Sequence, residues 1–179
     1  TSETEIAVEI LKDTGRSVSV VIERCELEGK PWETAALSIS DDSQNTNGVL
    51  EIVIRDSWLR DSWMGIYISH EGNYYNYPQL YLEAFNNAFT GNGYGNHFTT
   101  TYSSSEFVIY NNLYLDNYAG WYWGDYSSIG TVAWNENLFN GNSYLYSGSY
   151  YHDNDIYYDN PLLDSAFNEP VPTINSPHI

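Results

Sequence analysis

"EAFNNAFTG" (residues 83–91) and "VIYNNLYLD" (residues 108–116) follow one order of residue types. In each, apolar positions lead to a pair of asparagines. A large ring stands two residues beyond the second asparagine, and a turn former two beyond the ring. With the second asparagine as marker, four more segments keep the order: "VSVVIERCELEG" (18–29), "LEIVIRDSWLRD" (50–61), "GTVAWNENLFNG" (130–141) and "GSYYHDNDIYYD" (148–159). The marker position holds Cys25, Ser57, Asn87, Asn112, Asn137 and Asp155, at separations of 32, 30, 25, 25 and 18 residues. Self-similarity of this kind belongs to repeat architectures.

Two residues past the marker stand Leu27, Leu59, Phe89, Tyr114, Phe139 and Tyr157. Three residues before it come Ile22, Ile54, Ala84, Ile109, Trp134 and His152, and five before it Val20, Ile52, Leu82, Phe107, Val132 and Tyr150. Alternation of this period predicts a strand with one buried face. Gly29, Asp61, Gly91, Asp116, Gly141 and Asp159, four past the marker, are turn formers. The unit is therefore strand, polar corner, short strand, turn. Such a unit cannot bury its own apolar face and must stack on copies of itself. Its strands then run parallel, about 4.8 Å apart, with like side chains in columns. Asparagine suits the corner because it tolerates the left-handed backbone and its amide both donates and accepts. A third strand is expected in "AALSIS" (35–40) and "MGIYIS" (64–69), with Ile39 over Ile68 and the column continued by Phe98 and Trp123.

Charge offers a check on the register. An offset of 32 sets Glu23 over Arg55, Arg24 over Asp56 and Glu28 over Arg60, three pairs of opposite sign. Like charges at that spacing would be destabilising.

The alternation, the asparagine corner and the following ring resemble the right-handed parallel β-helix of the pectate-lyase-like superfamily, over roughly residues 18–163. The tail "NPLLDSAFNEPVPTINSPHI" is similar to the closing stretch of many exported β-helix proteins. The resemblance is to an architecture and implies an all-β, right-handed parallel β-helix of about six short coils. Residues 1–17 are expected to form an amino-terminal cap, 18–163 the helix, and 164–179 a carboxy-terminal cap or tail. Open ends of such a stack are unpaired strand edges, so incomplete capping would allow end-to-end self-association into a filament.

Twenty-four acidic residues against six basic ones give a formal charge of −18. That field repels a nucleic-acid backbone and an anionic membrane surface, so neither is expected as a partner. Apolar stretches are short and interrupted, which argues against membrane insertion. A single cysteine excludes an intrachain disulfide. The start lacks Met and any signal-like run, so a mature product or a domain of a longer precursor is expected. Abundant Tyr, Asn, Ser and Gly with little Lys point to an extracellular or cell-surface protein.

Enzymes on the resembled fold imply two chemistries. Its polysaccharide lyases use Lys or Arg near calcium, yet all six basic residues lie in the first third and three arginines have carboxylate partners in the register. Its hydrolases use clustered aspartates, for which the motifs "NTD" and "GHG" are absent and "DD" occurs alone at Asp41–Asp42. The densest polar cluster, "HDNDIYYDN" (152–160), offers a candidate calcium site through Asp153, Asp155 and Asp159, without the Gly and Glu of an EF-hand loop. Cys25 lies in the marker column and reads as a small core residue. Loops crowded with rings remain, among them "EGNYYNYPQLY" (71–81) and "YAGWYWGDY" (118–126). Rings beside Asn, Asp and Gly suit sugars, which stack their C–H faces and hydrogen-bond at their edges. Trp63, Tyr74, Tyr75, Trp121, Tyr122 and Trp123 are the candidate contacts with a polysaccharide. The sequence therefore favours a non-catalytic exported module for carbohydrate binding or surface assembly, with a carbohydrate-active enzyme as the alternative.

Overall fold

A computed structural model describes residues 7–12, 16–41, 48–70, 79–99, 106–123, 131–135, 137–147 and 156–157. Every regular element among them is a strand. In chain order, β1 (Val8–Lys12) precedes a first coil of β2 (Val18–Glu23), β3 (Glu26–Glu28) and β4 (Ala35–Asp41). The next coil is β5 (Val49–Arg55), β6 (Trp58–Arg60) and β7 (Met64–His70). It is followed by β8 (Gln79–Phe85), β9 (Ala88–Thr90) and β10 (Tyr94–Phe98), then by β11 (Glu106–Tyr110), β12 (Leu113–Leu115) and β13 (Ala119–Trp123). β14 (Thr131–Asn135), β15 (Leu138–Asn140) and β16 (Tyr144–Ser147) come next, and β17 (Ile156–Tyr157) is last.

These strands make three parallel sheets, of orders β1-β4-β7-β10-β13-β16, β14-β11-β8-β5-β2 and β17-β15-β12-β9-β6-β3, here called A, B and C. The chain is a parallel β-solenoid. Its register is the one read from the repeat. Sheet C pairs Glu26 with Trp58, Trp58 with Ala88, Ala88 with Leu113, Leu113 with Leu138 and Leu138 with Ile156, steps of 32, 30, 25, 25 and 18. Sheet A stacks Ile39, Ile68, Phe98 and Trp123 in one column, as the third-strand reading expected. β1 is the edge strand of sheet A, paired with β4.

Inward columns from the three sheets meet in one core that includes Ile22, Ile54, Leu59, Phe89, Ile109 and Tyr114. Phe89, Tyr114 and Phe139 stack nearly face to face, with centroids 4.8 and 4.7 Å apart. A glycine column in sheet A makes room for them. A Cβ on Gly65 would lie 2.9 Å from the Phe89 ring, and one on Gly95 would lie 2.6 Å from the Tyr114 ring. On the other side of sheet C, Ala88, Leu113 and Leu138 form a second apolar cluster with Trp58 and Leu115.

The corner between sheets B and C divides its work between two residues. Arg24, Asp56, Asn86 and Asn111 take the left-handed backbone, with φ of 53–55°. The residue after each carries the ladder. Cys25 N–H donates to Ser57 Oγ (3.2 Å), Ser57 N–H to Asn87 Oδ1 (3.0 Å), Asn87 N–H to Asn112 Oδ1 (2.9 Å) and Asn112 N–H to Asn137 Oδ1 (3.0 Å). The amide Nδ2 of Asn87, Asn112 and Asn137 donates back to Ile54 O, Ala84 O and Ile109 O. Asp155 lies outside the described residues. Cys25 departs from its expected burial: it is exposed, because β2 and β3 are the edge strands of their sheets.

A second ladder runs at the corner between sheets C and A, through Ser62, Asn92, Asn117 and Asn142. Asp61, Gly91, Asp116 and Gly141, each just before a member of it, again have positive φ. The charge pairs form as the register required, with one change. Arg55 is ion-paired with Glu23, and Arg60 with Glu26 (2.7 Å) and Glu28 (2.8 Å). Arg24 donates to its neighbour Glu23 at 2.8 Å, and Asp56 acts on it by Coulomb attraction.

Candidate functional site

Sheet B pairs Glu23 with Arg55 and sheet C pairs Glu28 with Arg60, both at an offset of 32. Sheet A pairs Ala35 with Met64, an offset of 29. The first coil thus carries three extra residues at its corner between sheets C and A. They are Pro31, Trp32 and Glu33, because Lys30 and Thr34 still hold the next coil: Trp63 N–H donates to Thr34 O (2.9 Å) and Lys30 O (3.2 Å). Glu33 N–H donates to Lys30 O at 3.2 Å, and Lys30 N–H to Thr34 Oγ1 at 2.8 Å, closing the turn.

Trp32 sits in that turn with φ +64° and is 69% exposed. Proline followed by positive φ is the type II arrangement, whose third position favours glycine or asparagine. A bulky side chain there is a strained choice. Local packing supplies a partner for it: the Trp32 ring lies 4.8 Å from that of Trp63, inclined at 36°. Trp63 in turn is seated over Gly93 of the following coil. A Cβ on Gly93 would fall 2.6 Å from the Trp63 Cζ3 and closer still to its Cε3.

From Trp63 the rings continue coil by coil. Tyr94 lies 5.0 Å away edge-on, then Tyr118 and Tyr122 at 6.1 and 5.1 Å from Tyr94. His97 packs against Tyr94, with Tyr67 and Tyr122 on either side at 5.5 and 4.7 Å. Tyr67, His97 and Tyr122 share one column of sheet A. Tyr118 is 44% exposed. The result is an aromatic strip that starts at Trp32 and follows the corner between sheets C and A along the solenoid.

Two members of the strip, His97 and Tyr94, are held uncharged at neutral pH. Burial pushes the His97 imidazole down to about 4, so the ring is neutral. Its Nδ1 is buried without a hydrogen-bond partner among the described residues. Burial, with Tyr118 and Tyr122 nearby, raises Tyr94 above the ordinary phenol range and keeps its hydroxyl protonated. Sheet B carries a different surface. There Tyr81 stands among Glu83, Glu106 and Glu51, and Phe85 stacks on Tyr110, whose hydroxyl donates to Glu83 at 3.2 Å.

The predicted sugar contacts are divided by this geometry. Trp63 and Tyr122 are both members of the strip. Trp121 is 1% exposed and belongs to the core, in the column of Ile66 and Asn96. Adjacent strand residues point to opposite faces, so Trp121 cannot share a surface with Tyr122. Trp123 occupies β13 in register with Phe98. Tyr74 and Tyr75, and the calcium candidates Asp153, Asp155 and Asp159, lie outside the described residues. Among the described residues no three His, Cys, Asp or Glu side chains gather as a metal site. Trp32, Tyr67, Tyr94, His97 and Tyr118 were not anticipated. The signal for Trp32 was the change of offset between sheets C and A.

No family model matches the chain, and neither a curated protein nor a solved structure shows significant similarity to it.

Proposed function

We propose that this chain is a non-catalytic β-solenoid module that binds carbohydrate through the strip from Trp32 to Tyr122, at the cell surface or outside the cell. The observation that carries the reading is Trp32: an exposed indole on a left-handed backbone, in a three-residue insertion, packed at a tilt against a tryptophan seated over a glycine. Structural packing alone does not require that ring to be there. Flat indole and phenol faces bordered by phenolic hydroxyls match the C–H faces and hydroxyl edges of sugars. Adhesion or surface assembly would follow from the same contact. The lyase alternative draws no support from the arginines, since Arg24, Arg55 and Arg60 are each ion-paired with carboxylates.

Trp32→Gly tests the reading in two opposed directions. Glycine accepts φ +64° freely, so relief of a left-handed strain of about 1–2 kcal/mol should leave the unfolding free energy unchanged or higher. Retention on insoluble polysaccharides should meanwhile fall about tenfold, the consequence of losing about 1.4 kcal/mol of stacking. Unchanged retention in both Trp32→Gly and Trp63→Ala, with the wild type retained, would place binding elsewhere. Failure of the wild type to bind any glycan would end the carbohydrate reading.

A further inference from the structure

We infer that the strip takes an uncharged glycan chain lying along the solenoid axis, across the coils; this rests on the carbohydrate reading above. Two sets of observations support it. The first is placement. Trp32 stands in the turn before β4, Trp63 immediately before β7, Tyr94 at the start of β10 and Tyr118 immediately before β13. All four occupy the same corner of consecutive coils, and their rings form one chain of contacts. Three steps between coils span roughly 14 Å at the usual spacing of parallel strands. That is the length of a short oligosaccharide and exceeds a single sugar. A ligand running along a strand would meet Tyr94 and His97 of one coil and leave Trp32 untouched.

The second is charge. The corner that carries the rings also carries Glu33, Asp61 and Asp116 against Lys30, and Asp61 is ion-paired with Arg60 just before it. Asp61 and Asp116 precede the ladder residues Ser62 and Asn117 with positive φ, so they are fixed parts of that corner. Arg55 is taken up by Glu23, and Arg60 is shared among Glu26, Glu28 and Asp61, so carboxylates still outnumber cations around the strip. A uronate or sulfated chain would bring negative charge to a molecule already at −18 and meet carboxylates along the strip. A neutral chain meets rings and phenolic hydroxyls without that opposition. The strip therefore selects by what it lacks as well as by what it presents.

Affinity electrophoresis and calorimetry on the full chain test both halves. The probes are soluble neutral polymers (xyloglucan, mixed-linkage β-glucan, galactomannan), anionic polymers (polygalacturonate, alginate, heparin) and neutral oligosaccharides of graded length. At low salt a neutral polymer should bind at least tenfold more tightly than any anionic one. Its affinity should rise about tenfold from disaccharide to tetrasaccharide and then level off. Trp32→Gly should remove most of that gain while leaving the disaccharide within about twofold of wild type. An anionic polymer bound as tightly as the best neutral one overturns the selectivity, and affinity independent of chain length overturns the orientation. Both results leave carbohydrate binding itself standing. Absence of binding to every probe instead removes the carbohydrate reading, and this inference with it.

Discussion

At the scale of single residues, adjacent asparagines carry different loads. Asn111 has φ 53°, and its exposed amide donates to Asn86 Oδ1 at 2.6 Å. Asn112 is buried and donates to Ala84 O and Asn137 Oδ1, while its Oδ1 accepts from the backbone and side-chain nitrogens of Asn87. Asn112→Ala would leave several of those buried groups unpaired, at about 1–3 kcal/mol each. Urea unfolding should therefore show a loss of about 3 kcal/mol or more. Asn112→Asp should be nearly as harmful, since a carboxylate cannot donate to Ala84 O. Asn111→Gly keeps the left-handed backbone available and should change stability by less than about 1 kcal/mol. The repeated pair was legible in the sequence, but its division of labour was not, because asparagine satisfies both slots. Two earlier coils held the clue. Arg24–Cys25 and Asp56–Ser57 put a charged, solvated residue in the first slot and a small polar one in the second.

At the scale of elements, the aromatic stack of sheet C and the glycines of sheet A are one design. Gly95→Ala would drive a Cβ into the Tyr114 ring and against Gly120 O. Overpacking of a filled core typically destabilises by about 1–3 kcal/mol, and thermal unfolding should register it. Restoring space with Tyr114→Leu in the same chain should recover part of the loss; full additivity of the two changes would refute a shared cause. Strand register was legible because the marker column and its apolar neighbours recur at identical spacings. The second ladder was not, although each of its asparagines follows a turn former already recognised as such. Asn92, Asn117 and Asn142 were hidden because their coil neighbours are glycine-rich and aromatic, without the paired asparagines that draw the eye. Trp121 parts from Tyr122 for a simpler reason: adjacent residues of a strand present their side chains to opposite faces, and Trp121 takes the buried one.

At the scale of the whole molecule, pH and salt act on separable groups. His97 is neutral when folded, with its pKa lowered by burial to about 4 from an ordinary 6.5. The unfolded chain binds that proton more readily. Stability should thus be full above pH 6.5, decline as pH falls from 6.5 to 4, and level off below. His97→Phe should flatten the melting-temperature profile between pH 7 and 5; an unaltered profile would exclude this origin. Glu23 shifts in the same direction from a different cause, attraction to arginines in place of burial. Its carboxyl is held below the usual range by Arg24 and then Arg55, so its contribution persists above that range and disappears as pH falls through the lowered value. With −18 charges in all, self-repulsion should dominate the ionic-strength response, and the melting temperature should rise from 10 mM to 0.5 M NaCl. One dimension stays constant throughout. Ser57 to Ser62, Asn87 to Asn92, Asn112 to Asn117 and Asn137 to Asn142 are each five residues apart, while the coils around them vary. Splicing in a duplicate of residues 92–116 after Asp116 should therefore lengthen the rod by one storey without disturbing either hydrogen-bonded seam. Adding even a single residue between the seams should break both.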